Sequence, residues 1–347
     1  MDKPTLQKPD GKKLGPIGRK AVSVSTQELI RAGALQPGQP LPLLVEPAVE
    51  GVNLTAWASD QKEFIETKLL EHGGILFRNF KVKSEAELEQ FIQTLSGELL
   101  KYTHRSTPRS QVSGNIYTST EYPADQSIPM HNEMAYTNSW PLKIWFLCLK
   151  AAEQQGETPI TDSRQVYNRL NPALRKRFAE KKVMYVRNYG MGIDLPWQNV
   201  FQTDDKAEVE DYCRHNGIEF EWKAGDGLRT RQVCQAVAAH PKTGEMLWFN
   251  QAHLFHASSL KPEIYESLIS TFKEEDYPRN TYYGDGSPIE PAALAEIRAV
   301  YEAESVIFPW QEGDVLMLDN MLVAHGRQPF TGSRKIVVGM AEPFSLS

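Results

Sequence analysis

The stretch Ile128-Pro129-Met130-His131-Asn132-Glu133-Met134-Ala135 constrains this chain more than any other. It sets an imidazole and a carboxylate two residues apart, and on an extended strand such residues point to the same side. One rigid element then offers two ligand atoms to a single metal ion. Alone the motif is weak, because a strand histidine beside a glutamate is usually a solvated pair. A third ligand has to come from elsewhere. The run Gly313-Asp314-Val315-Leu316-Met317-Leu318-Asp319-Asn320 reads as a strand and leads to His325, which precedes a polar loop and another strand. Its distance in sequence from His131 suits opposite ends of one barrel.

A length of 347 residues allows one large or two ordinary domains. We expect a flexible N-terminal tail over residues 1–24 and a single domain over residues 25–347. Hydrophobic residues make up 41% and charged residues 24%, so the chain reads as globular, not disordered. A formal net charge of -6 argues against nucleic acid or an anionic membrane as main partner. Cys148, Cys213 and Cys234 form no CxxC pair, which disfavours a disulfide framework or structural zinc and leaves reduced thiols in a cytoplasm as the expectation. No apolar run is long enough to span a membrane, and residues 1–20 lack the apolar centre of a signal peptide. A cytoplasmic protein is expected, of an oligomeric state the sequence does not set.

Taken in order, residues 25–32 are expected to form a short helix and the Pro-rich residues 36–47 an extended connector. Leu54, Trp57, Phe64, Ile65 and Leu69 recur at helical spacing over 53–72, ahead of Gly73-Gly74. A buried strand follows over 74–80 and an amphipathic helix over 85–95. Residues 113–135 look irregular. Strands are expected over 142–151, 183–188, 219–224, 228–237, 245–250, 314–318 and 335–340, and helices over 163–169, 172–181, 206–215 and 291–303. Short strands at uneven spacing, with helices before and between them, predict a mainly β double-stranded β-helix, or jelly roll, with helical decoration.

The candidate ligands His131, Glu133 and His325 form the set used by non-haem Fe(II) oxygenases, two imidazoles and a carboxylate on one face of the ion with the other positions open. A competing pair, His253 and His256, has no carboxylate at ligand spacing and sits among Phe249, Leu254 and Phe255, so it reads as pocket wall or core. A dicarboxylate co-substrate needs one end chelated and the other held by a fixed cation, for which the arginine fork is suited. Arg334 opens the strand after His325, with Lys335 beside it, and pleat alternation lets only one of them face inward. Arg327 has a loop position that favours the surface. Thr158 offers a hydroxyl to the same carboxylate. Trp248, Phe249, Asn250 and Gln251 are candidates for substrate-pocket wall, with ordinary core the competing reading for the two aromatics.

The motifs HNEMAY, GETPITDSR, HPKTGEMLWFN and FPWQEGDVLMLDN-MLVAHGRQPF-TGSRKIVVGMAEPF, in that order, resemble the taurine dioxygenase/clavaminate synthase-like superfamily of Fe(II)/2-oxoglutarate dioxygenases over roughly residues 60–345, and within it the SyrP-like branch. The resemblance implies a jelly roll in which His131, Glu133 and His325 bind Fe(II), Thr158 and Arg334 hold the distal carboxylate of 2-oxoglutarate, and O2 is the oxidant. Glu133 stands where much of the superfamily has aspartate; a carboxylate is still present, so no halide ligand is expected. The second arginine of the taurine-using enzymes falls on Val338 or Gly339, which makes taurine an unexpected substrate. Substrates in the branch include amino acids and aminoacyl groups tethered to carrier proteins, so hydroxylation, epoxidation or desaturation of such a substrate is implied. A cupin-like metal protein with a non-oxidative or regulatory role is the alternative.

Overall fold

The computed structural model describes residues 29–101, 111–119, 122–190 and 195–346. The expected tail lies outside these residues, as do residues 25–28 of the expected first helix. The main sheet has eight strands, in the order Ile30–Gln36, Gln39–Pro47, Gly74–Phe77, Val315–Asp319, Ser139–Lys150, Lys335–Ser345, Ile116–Thr118 and Gln111–Ser113. Neighbours run antiparallel except Gln39–Pro47 and Gly74–Phe77, which run parallel through a crossover containing the helices Leu54–Asp60 and Lys62–His72. A smaller antiparallel sheet of Ile128–His131, Val323–Arg327 and Ile160–Asp162 lies across the inner face. The chain passes directly from Val315–Asp319 in one sheet to Val323–Arg327 in the other. The architecture is a jelly roll, mainly β with helices outside it.

Pleat alternation sorts the central strands between two cores. Trp140, Ile144, Phe146 and Cys148 of Ser139–Lys150 join Leu316, Leu318, Ile336 and Val338 on the inner face. Trp145 and Leu147 turn outward with Val315, Met317 and Val337, beneath Trp57, Leu69, Phe91 and Ile92 of the three N-terminal helices. Both faces are therefore buried, which is why Ser139–Lys150 reads as an almost unbroken apolar run. The buried Arg78 fork closes one end of this layer, with Nε 3.0 Å and Nη2 2.6 Å from the two oxygens of Asp314. Removing one member of such a pair costs about 3–5 kcal/mol.

A second sheet, in the order Glu219–Lys223, Gly227–Cys234, Val183–Tyr189 and Arg279–Tyr283, is inserted between the jelly-roll strands. Tyr185, Cys234 and Tyr283 share a core with Met130, Tyr136, Trp248 and Phe255, so one face of the insert packs behind the stretch 130–136. Among the described residues no helix is long and apolar enough to cross a membrane.

Several expectations need correction. From Ile30 the chain is an edge strand, not a helix. Residues 39–47 are a ladder strand; Pro40, Pro42 and Pro47 had argued against one. The helical pattern over 53–72 is two helices that meet at Gln61, which caps both. The stretch expected to be irregular, 113–135, contains Ile116–Thr118 and Ile128–His131 and begins at the end of Gln111–Ser113. The strand expected over 228–237 stops at Cys234, and Val237–Ala239 pairs instead with Met246–Trp248.

Candidate metal centre

His325 lies inside the strand Val323–Arg327 rather than after one, and its register partner is His131 at the end of Ile128–His131. Directly opposed residues share a face with Cβ atoms about 4.5–5.5 Å apart. The two ring centroids are accordingly 4.5 Å apart. The histidines are cross-strand neighbours, not residues from opposite ends of the barrel. Glu133 completes the group: each of the three residues offers a ligand atom, and these atoms lie within 4.8 Å of one another. Glu133 and His325 are buried, while His131 is half-buried.

Strand alternation is not what brings Glu133 in. The strand ends at His131, Glu133 opens a turn, and Met134 has a φ of 59°. Asn320 fixes that turn: its Oδ1 accepts from Glu133 N at 2.7 Å and its Nδ2 donates to Glu133 O at 2.9 Å. The Asp319-Asn320 pair after a strand is a turn signal, yet its reach to a residue 187 positions away is not readable from spacing. His131 Nδ1 lies 2.8 Å from Pro129 O. A carbonyl only accepts, so Nδ1 carries the proton and Nε2 keeps its lone pair for an ion.

Gly326 permits the close approach of the two ligand strands. A Cβ there would stand 2.7 Å from Ile128 O and 3.1 Å from Met130 Sδ. Gly326→Ala therefore forces the strands apart, with an expected loss of about 1–3 kcal/mol and weakened metal uptake. Thermal melts of the apo protein and metal titration check this; a melt equal to the parent's contradicts it.

A cleft opens beside the histidines, lined among others by Ser119, Ile128, Phe146, Thr158, Arg334 and Val338. Arg334 lies just before the strand Lys335–Ser345 and faces this cleft, whereas Lys335 points out to Glu85 at 2.7 Å. Arg334 Nε donates to Gly156 O at 2.8 Å, and Nη2 lies 3.5 Å from Thr158 Oγ1, which also accepts from Trp310 Nε1 at 3.1 Å. Arg327 also lines the cleft. It is buried, against the expectation of a surface position, because its guanidinium donates to the carbonyls of Tyr122, Pro123 and Gln126 and ties down the approach to Ile128–His131. Phe330 lies between the two forks, with centroid distances of 5.2 Å to Arg327 and 5.5 Å to Arg334. Burial and the neighbouring Arg327 push Arg334 down to about 10, still cationic at neutral pH. Among the described residues no carboxylate bonds either arginine, so this end of the cleft suits an anion.

The four expected wall residues lie elsewhere. Trp248 and Phe249 are fully buried in core clusters, and Asn250 and Gln251 are bonded to backbone; none of the four lines this cleft. His253 is core as expected. Its Nε2 donates to Met130 O at 2.9 Å, and burial pushes its pKa down to about 3, leaving it neutral. In a second cleft, lined also by Lys62 and Glu63, Lys143, Lys242, Glu66 and Glu342 are paired with one another, Lys143 lying 2.6 Å from Glu66 and 2.7 Å from Glu342.

Two imidazoles and one carboxylate, converging beside an open cleft, fit Fe(II) and leave positions for further ligands. The family described as taurine catabolism dioxygenase TauD, TfdA matches residues 37–340. The dapdiamide synthesis protein DdaC of Enterobacter agglomerans is 39% identical over 310 residues, covering 86% of this chain and 94% of its own length. A clavaminate synthase-like protein of Arabidopsis thaliana is 28% identical over 327 residues, covering 88% and 94%. Among solved structures, PvcB of Pseudomonas aeruginosa superposes with a TM-score of 0.54 at 14% identity, covering 94% of each chain. PvcB is described as an Fe, alpha-ketoglutarate dependent oxygenase from an isonitrile synthetic pathway.

Proposed function

The chain belongs to the taurine catabolism dioxygenase TauD/TfdA family, and from that premise we propose that it hydroxylates, epoxidises or desaturates an amino acid, free or tethered as an aminoacyl group to a carrier protein, in specialised-metabolite biosynthesis. It is an Fe(II)/2-oxoglutarate-dependent dioxygenase. When bound, the iron with 2-oxoglutarate and O2 supplies the oxidant for an unactivated C–H bond, with succinate and carbon dioxide as co-products.

The observation that carries the reading is one cleft lined by both His131 and His325, which Glu133 joins as a donor set, and by the Arg334–Thr158 pair. In this reading the three donors hold the ion. Arg334 and Thr158 hold the distal carboxylate of 2-oxoglutarate by charge-assisted bonds. Ile128, Phe146, Ile336 and Val338 keep water from the reacting centre. The placement of Val338 also bears on the substrate. Val338 faces the cleft at a position where the taurine-using enzymes are expected to carry an arginine, and Gly339 has no room for a side chain, since a Cβ there would collide with Ile92 Cδ1. An amino-acid substrate is further supported by the natural-product settings of DdaC and PvcB.

Anaerobic titration with Fe(II) and 2-oxoglutarate should give the weak visible charge-transfer band of the chelate. O2-dependent succinate formation is then measured with free amino acids and with aminoacyl-loaded carrier proteins. Bound iron with no band would sink the co-substrate assignment. A band with no stimulation by either substrate form would sink the substrate class alone.

A further inference from the structure

Around His131 the chain ends its strand and enters a turn that is largely buried, and carbonyls from Pro129 to Ala135 take side-chain partners there. Pro129 O accepts from His131 Nδ1 at 2.8 Å, Met130 O from His253 Nε2 at 2.9 Å, and Asn132 O from Gln251 Nε2 at 2.7 Å. Glu133 O accepts from Asn320 Nδ2 at 2.9 Å, and Ala135 O from Gln235 Nε2 at 2.9 Å. Asn320 differs from the rest in holding both the N–H and the C=O of one residue, and that residue is Glu133. It is fully buried, and its Nδ2 also donates to Pro141 O at 2.9 Å.

Asn320 is itself held. Its own carbonyl accepts from Asn132 Nδ2 at 2.7 Å. The turn it occupies is closed by Asp319 Oδ1, which accepts from Met321 N at 2.9 Å and Leu322 N at 3.0 Å, while Asp319 Oδ2 faces His240 Nε2 at 3.1 Å. This turn leads into the strand that carries His325. One rigid corner thus sets the spacing between a donor on its own strand and a donor on a distant turn.

We infer that Asn320 is the positioning residue for the Glu133 carboxylate, with Gln251 as a secondary brace on the same turn. The inference rests on the reading of Glu133 as a metal ligand. Residues that orient ligands typically change metal affinity by about 10–100-fold when removed, whereas a merely structural amide changes stability alone.

Mn(II) binding, followed by the electron paramagnetic resonance signal of the free ion, tests this on the full chain without activity. The set is the parent, Glu133→Ala, Asn320→Leu, Gln251→Met and a control, Asn188→Leu. Asn188 is a buried amide that likewise holds two carbonyls, Glu275 O at 3.0 Å and Tyr277 O at 2.7 Å, but in the inserted sheet. Asn320→Leu is expected to bind Mn(II) roughly tenfold or more weakly, Gln251→Met less severely so, and the control as the parent does. Parent-like affinity in Asn320→Leu, or an equal loss in Asn188→Leu, overturns the inference while leaving the ligand assignment standing. Parent-like affinity in Glu133→Ala removes the ligand assignment and the inference with it. If Asn320→Leu does not fold, Gln251→Met decides, and unchanged affinity there overturns the inference.

Discussion

His325→Ala is expected to yield a folded protein that takes up no Fe(II) at micromolar concentrations and makes no succinate. His325 is buried against the His131 ring and 5.0 Å from the Phe146 ring, so its loss removes a donor from the centre of the group rather than its rim. Two donors remain, and the fall in turnover should exceed the roughly 10–100-fold typical of losing an outer-shell partner. Thermal melts separate this from misfolding. An ion at 100 times its Kd stabilises the parent by about 2.7 kcal/mol, and the variant should gain nothing from added metal while melting cooperatively without it. Stoichiometric metal uptake by His325→Ala would remove it from the ligand set.

The second large effect is expected at Arg334. Arg334→Met keeps much of the length and apolar bulk of the side chain but removes the fork that faces Thr158 and Gly156. A desolvated charge pair that loses one partner costs about 2–5 kcal/mol, which places the rise in KM for 2-oxoglutarate at roughly 30- to several-thousand-fold. Fe(II) affinity measured without 2-oxoglutarate should hardly move, because Arg334 is not in the donor group. Arg334→Lys should recover only part of the loss, since an ammonium cannot reproduce a planar two-point contact. An unchanged KM would transfer the carboxylate role to another cation in the cleft, which among the described residues points to Arg327.

Local chemistry explains which parts of the chain were legible. The helices Ser163–Arg169, Pro172–Lys181, Lys206–His215 and Pro291–Ala303 were read to the residue because each begins at a local signal. Asp162, Asn171 and Asp205 cap the first three through their own side chains, and Pro291 opens the fourth. The strand Gln39–Pro47 was obscured by prolines, and the edge strand Ile30–Gln36 is too exposed to show an apolar face. At the metal centre residue types were legible but the geometry was not. His131 and Glu133 share a side through a turn held by Asn320, not through pleat alternation. Arg327 looked like a loop cation because its carbonyl partners, Tyr122, Pro123 and Gln126, lie 201 to 205 positions away in the sequence. Asn250 and Gln251, expected as pocket wall, are buried and held by bonds to the backbone carbonyls of Ala236 and Asn132.

The facing of His131 and His325 has a consequence for how the chain reaches its native state. The pairing includes an irregularity, since Ile128 pairs with Arg327 and His131 with His325, leaving one extra residue on the first strand. Bulged pairings sit close to alternatives slipped by one position, and a slip of one would turn one imidazole to the opposite face of the sheet. A slipped pairing offers the ion one histidine fewer. An ion bound by both imidazoles would therefore favour the correct alignment over its slipped neighbour, since binding adds stability only to the pairing that presents both donors.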